Sequence, residues 1–236
     1  LCTAPSLSAG PKEEMAELVP AIFSDHMVLQ RQVEVPVWGH TAPGGTVTVT
    51  FMNQTKTATA DAHGKWMVKL DKMEGVAEPQ EMTVQDGREI RVLKDVLVGE
   101  VWLGSGQSNM ALGWTYNETR KRRMAARDGL PESKALEPDY YAAQVDEQTM
   151  QVLRRAITNR QVRVSSWTRD NLCTTNGGWA LVDEENMKQL PALAGCIAVH
   201  LQEELRVPVG IVVRAVGRSC STRSAAPPTS TPGTWR

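Results

Sequence analysis

From Val19 to Lys94 apolar and polar residues alternate with a period of two, the pattern of antiparallel strands that bury one face. Val47, Val49 and Phe51 fall on one side of such a strand, and Thr46, Thr48 and Thr50 on the other. Val33 to Trp38, Lys65 to Leu70, Met82 to Val84 and Ile90 to Val92 read alike, with Trp66, Val68 and Leu70 sharing a face. Pro43-Gly44-Gly45, His63-Gly64 and Asp86-Gly87 supply the turns between them, because glycine reaches positive φ without steric cost. Short strands at this spacing predict a β-sandwich.

At Asp95 the pattern changes. Val96-Leu97-Val98 and Val101-Trp102-Leu103 make a nearly continuous apolar run that stops at Gly104-Ser105-Gly106, as expected of a strand buried on both faces of a parallel sheet. Further on, Leu190, Leu193, Ala194, Ile197, Ala198, Leu201 and Leu205 recur at helical spacing and predict one packed stripe, halted by Pro208. Val209 to Val216 then reads as a second buried strand, so a helix feeding a parallel strand is the economical arrangement. Between these, Tyr140 to Ile157 reads as a helix through Tyr141, Val145, Val152 and Ala156, followed by a short strand at Val162-Arg163-Val164. The basic run Arg120 to Arg123 reads as a solvated helix face. Ser219 to Arg236 is Ser, Thr, Pro and Ala-rich and offers nothing for a core, so a disordered or frame-disrupted tail is expected.

Composition narrows the function classes. With 41% hydrophobic and 22% charged residues over 236 positions, the chain can bury a core, and a net charge of -1 gives no pull toward nucleic acid or anionic lipid. No apolar run approaches the roughly 20 residues of a membrane-spanning helix. Cys2, Cys173, Cys196 and Cys220 are scattered and lack metal-binding spacing, so no metal site is expected. Leu1 to Gly10 has the Ala, Ser, Pro and Leu content of a signal-peptide tail, which predicts a secreted or periplasmic protein, with an ordinary N-terminal extension as the alternative.

The candidate chemistry lies where the first buried strand ends. Open α/β sheets gather reactive groups at the C-terminal ends of their parallel strands, and Ser108 follows such an end in Gly106-Gln107-Ser108. Gly104 and Gly106 allow a sharp turn, and a helix opening after them would point unpaired N–H groups at a developing oxyanion. By itself a Gly-x-Ser triplet is common, and an ordinary serine in a strand-to-helix turn is then the better explanation.

Longer blocks change that balance. Pro20 through Arg31, Val37-Trp38-Gly39, Gly64-Lys65-Trp66 and Gly99-Glu100-Val101-Trp102-Leu103-Gly104-Ser105-Gly106-Gln107-Ser108-Asn109-Met110 occur in the order of landmarks in sialate O-acetylesterase-type proteins. Leu205 to Ile211 followed by Ala215-Val216-Gly217 is similar to a later stretch of that family, so the resemblance runs from about Val19 to Gly217. It implies a β-sandwich domain followed by an incomplete α/β hydrolase domain of SGNH or flavodoxin-like, three-layer α/β/α type. The corresponding divisions are an N-terminal extension at 1–18, the sandwich at 19–94, the partial hydrolase domain at 95–218 and the tail at 219–236. It further implies hydrolysis of acetyl esters on an O-acetylated sugar without a cofactor, with Ser108 as nucleophile, the N–H groups of Ser108 and Gly217 facing the oxyanion, and Gln107 and Asn109 in support.

After Gly217 the resemblance falters, because Arg218, Cys220 and Ser224 stand where the family shows a second glycine and then tryptophan. The family's C-terminal Asp-x-x-His has no counterpart before Arg236, so weak activity or none is expected of this chain alone. His26 is expected in a structural or surface role, His40 and His63 in solvent, and His200 at a helix boundary or partly buried. Tryptophans on strand patterns, among them Trp38, Trp66 and Trp102, are expected in the core rather than stacked on sugar. The competing functions are a noncatalytic glycan-binding or scaffold remnant and an acetylxylan-type esterase.

Overall fold

The computed structural model describes residues 17–107, 110, 125–131, 147–166, 177–183 and 191–215. The protein is sheet-rich. Ten strands are described: β1 (Val28–Gln30), β2 (Val35–His40), β3 (Thr46–Phe51), β4 (Gln54–Thr59), β5 (Lys65–Leu70), β6 (Val76–Gln85), β7 (Ile90–Gly106), β8 (Val162–Ser166), β9 (Trp179–Leu181) and β10 (Val209–Ala215). Helices α1 (Glu147–Thr158) and α2 (Ala192–Leu205) accompany them. An eight-stranded sheet runs β4-β3-β6-β7-β10-β8-β9, with β1 beside β7, and β2 and β5 form a separate two-stranded sheet.

The alternation read from the sequence is the alternation of burial. Val47, Val49 and Phe51 on β3, Trp66, Val68 and Leu70 on β5, and Met82 and Val84 on β6 meet in one core with Val35 and Val37. Each such side chain contributes about 1.5–3 kcal/mol of transfer free energy. The turns form as expected: Gly44, Gly64 and Gly87 all take positive φ. At Gly64 a Cβ would lie 2.3 Å from the Thr41 carbonyl oxygen, so only glycine fits. After Gly87 the Asp86 carboxylate accepts the N–H groups of Arg88 and Glu89 at 3.0 and 2.9 Å, closing the β6–β7 hairpin. The Thr41 hydroxyl donates to the same carboxylate and is the main reason its pKa falls to about 2.

β7 belongs to two kinds of sheet. Its first half pairs antiparallel with β6, from Gln85↔Ile90 to Val76↔Val98, whereas Glu100 to Gly106 pair parallel with β10. Along the strand, Val96, Leu97 and Val98 are buried, but Trp102 is 48% and Leu103 71% exposed. The expectation of a strand buried on both faces therefore fails for the second half. Alternation cannot explain this, since both neighbours face solvent; among the described residues, α2 packs on β8 and β10 and α1 packs on α2 rather than on this part of β7.

The expected boundary at 94/95 falls inside β7. Between Met82↔Leu93 and Gln80↔Val96 the strand uses one residue more than β6, and Asp95 adopts φ 55°, so a bulge sits at this point. The displaced backbone groups are taken up by the preceding loop: Lys94 N–H donates to the Asp25 carboxylate at 2.7 Å and the Lys94 carbonyl accepts from His26 N–H at 2.9 Å.

The second core joins Ala194, Ala198 and Val199 of α2 with Val162 and Val164 of β8 and Ile211 of β10. This corrects the predicted helical stripe, because Leu193, Ile197 and Leu205 face outward. Small residues let the helix backbone approach the strands, and they take the inward face. Leu190, Tyr141 and Val145 of the predicted helices lie outside the described residues.

Candidate active site at the end of β7

β7, β10 and β8 are parallel neighbours, and their C-terminal ends come together with Gly106 opposite Ala215 and Val213 opposite Ser166. Chain leaving β7 thus emerges at the edge where open parallel sheets place reactive side chains. Gly106 takes φ 154°, a conformation open essentially to glycine alone, and this turns the strand out of the sheet. Gly104 leaves room for Met110: a Cβ there would approach the Met110 sulfur to 3.2 Å. Met110 N–H donates to the Gln107 carbonyl at 3.0 Å, a turn-closing bond that holds the segment against the strand end. Gln107 and Ser105 are exposed at this rim. Ser108, Asn109 and Gly217, the other residues expected here, lie outside the described residues.

All four histidines stand elsewhere. His26 is tied to Asp95 near the start of β7, and Asp95 and Gly106 are roughly 35 Å apart at a strand rise of about 3.3 Å per residue. His40 ends β2 and His63 occupies the turn before β5. His200 lies in the half of α2 nearer the start of β10, with its ring turned to solvent rather than partly buried as expected. Among the described residues no cluster could hold a metal ion.

A network the sequence reading missed lies at the bulge. Arg163 on β8 is 1% exposed, and its guanidinium meets both Asp95 carboxylate oxygens at 3.2 and 3.3 Å. Asp95 Oδ2 also stands 2.7 Å from His26 Nδ1. Burial lowers the Arg163 pKa, and the Asp95 charge opposes that shift. A second lock follows on β7, where Arg31 Nε donates to Glu100 at 2.7 Å, Gln30 Nε2 donates to the same carboxylate, and Val101 N–H donates to Gln30 Oε1 at 2.8 Å. The bond from Arg31 is the leading cause holding the Glu100 carboxyl below its usual range. Gly99 allows the crossing itself, since a Cβ there would sit 1.9 Å from the Pro208 carbonyl oxygen. The blocks 20–31 and 99–110 that carried the resemblance are therefore joined in space at the start of the second by structural contacts.

Of the strand tryptophans expected in the core, Trp66 is buried, whereas Trp38 and Trp102 are exposed; Trp179 is also buried, and Trp114 and Trp167 lie outside the described residues. Trp38 and Trp102 sit at outward-facing positions of their strands.

No family model matches the chain. Sialate O-acetylesterase of Pongo abelii is 27% identical over 212 residues, covering 83% of this chain and 36% of the relative, and that of Homo sapiens is 26% identical over the same length. The Rattus norvegicus sialate O-acetylesterase is 37% identical over 101 residues. A solved carbohydrate acetylesterase from Xanthomonas citri superposes with a TM-score of 0.64 at 26% identity, covering 84% of this chain and 40% of that one. The resemblance read from the sequence is borne out by these relatives, and the chain spans about a third of the length of the curated ones.

Proposed function

We propose that this chain, a relative of the sialate O-acetylesterases, carries the nucleophile-bearing part of a serine ester hydrolase that removes acetyl groups from O-acetylated sugars. The observation that carries the reading is the strand end: Gly106 twists out of a parallel sheet directly before Gln107 and Ser108, beside the end of β10 that leads toward Gly217. The layout that accompanies it is a β-sandwich at 19–94 and an SGNH-type α/β unit from 95 to 218, with export as its setting.

In the reaction, Ser108 Oγ attacks the acetyl carbonyl while a base takes its proton, and the N–H groups of Ser108 and Gly217 receive the oxyanion. The tetrahedral intermediate collapses, the sugar oxygen leaves with a proton, and water then cleaves the acyl-serine to acetate. Gln107 and Asn109 act in support of the nucleophile. None of the four histidines among the described residues stands at the Gly106 end, and general-base assistance is worth about 10²- to 10⁴-fold. Low turnover by this chain alone is the consequence. The alternative reading is a glycan-binding relative without the reaction.

A serine-directed fluorophosphonate distinguishes the two. In the protein extended through an Asp-x-x-His segment, labelling of Ser108, found by peptide mass spectrometry and abolished by Ser108→Ala but kept in Ser105→Ala, is the expected result. Labelling lost in Ser105→Ala and kept in Ser108→Ala would overturn the assignment, and no labelling of either would favour the noncatalytic reading.

A further inference from the structure

The register of β2 against β5 sets Trp38 opposite Met67, Gly39 opposite Trp66 and His40 opposite Lys65. These six residues and Asp61 line a cleft of about 470 Å³, within the usual range of small-molecule sites. No residue of the cleft comes from β7, β8 or β10, so it stands apart from the strand end that precedes Ser108. We infer that this cleft is a saccharide-binding site that takes a neutral pyranose ring of an oligosaccharide against the Trp38 indole.

Four features support the assignment. Trp38 is 38% and Met67 54% exposed, so two large apolar side chains stand together in solvent on a two-stranded sheet. The Trp38 ring is held in place by the buried Phe23 ring at 4.7 Å and 78°, which gives a rigid platform that loses little entropy on binding. Trp66, opposite Gly39 and only 3% exposed, lines the cleft from the core side and gives it a fixed wall. Around the rim, Asp61 Oδ1 accepts the N–H groups of His63 and Lys65 at 2.8 and 2.9 Å, which fixes the carboxylate and leaves Oδ2 for a hydroxyl.

The mixed rim decides the ligand class. An entirely apolar occupant would cover Asp61 and Lys65 without satisfying either, and an anion would meet the Asp61 carboxylate. A pyranose offers a C–H face for the indole and hydroxyls that both donate and accept. Sugars without O-acetyl esters serve as probes, so the result does not depend on Ser108 being a nucleophile.

Isothermal titration of the whole chain with xylohexaose, cellohexaose and sialyllactose tests the inference. A neutral hexasaccharide should bind saturably and more tightly than sialyllactose. Met67→Arg, which fills the cleft from an exposed position, and Trp38→Ala should each weaken binding by about tenfold or more. Lys69→Ala, on the same strand but outside the cleft, should leave it unchanged. Thermal unfolding checks that the variants fold, and Met67→Arg suffices if Trp38→Ala does not. The inference fails if none of the three saccharides binds, if sialyllactose binds more tightly than both neutral ones, or if folded Met67→Arg binds within about twofold of the parent.

Discussion

The two halves of β7 have nearly the same apolar content and opposite surroundings. Val96, Leu97 and Val98 lie buried where the strand is paired with β6 and β1, whereas Trp102 and Leu103 stand in solvent where it pairs with β10 along one edge only among the described residues. Hydrophobicity alone did not determine burial. What separates the halves is the bulge at Asp95 and the crossing at Gly99, where the strand leaves one core without fully entering the other.

The largest effect should come from the charge that ties these regions. Asp95→Asn keeps a side chain that tolerates positive φ but leaves the Arg163 charge buried without a counter-ion, and it should cost about 3–5 kcal/mol in denaturant unfolding. Asp95→Asn combined with Arg163→Met should recover most of that loss. A single variant as stable as the parent would show that the bulge needs no charge to hold it.

A direct test of the contrast pairs one leucine from each half. Leu97→Ala should destabilise by about 2–5 kcal/mol, because it opens a cavity among closed neighbours. Leu103→Ala should change stability by about 0.5 kcal/mol or less. Equal losses in urea melts would erase the distinction between the halves.

The smallest effect concerns the hairpin that starts β7. Asp86 is held at about 2 in the folded chain, chiefly by the Thr41 hydroxyl, against about 3.9 for an unfolded aspartate. Because the folded value is the lower, the stabilisation is full above about pH 4 and is lost as pH falls toward about 2, with a magnitude on the order of 1–2 kcal/mol. Thr41→Val should therefore lie below the parent in melting temperature at neutral pH and converge with it on acidification. A gap independent of pH would show that the hydroxyl acts by packing alone.

What the sequence made legible was local. Lys65 to Leu70 is a strand in the expected phase, and the glycine turns stand where they were read, because both depend on neighbours within a few residues. β4 escaped notice since Gln54–Thr59 has no apolar alternation; it is a polar edge held by its ladder to β3. Arg163 read only as part of a short strand, and Asp95, distant in the chain, is the partner that accompanies its burial. Trp38 was assigned to the core because its strand is apolar, yet the pairing with Met67 points both away from it. Ser108 gained its significance from resemblance, and the structure contributes the strand end before it rather than the serine's own geometry.

The crossing at Gly99 also has a temporal side. β7 can zip onto β6 as a hairpin as soon as both have been synthesised, but β10 begins about a hundred residues after β7 ends. At translation rates of about 5–20 residues per second, the second half of β7 waits roughly 5–20 s for its partner strand. Throughout that interval Trp102, Leu103 and a row of unpaired backbone groups are presented to other chains, a template for association. The yield of correctly folded protein should thus depend on how quickly the ribosome reaches Val209, a vulnerability set by chain order rather than by the stability of the finished fold.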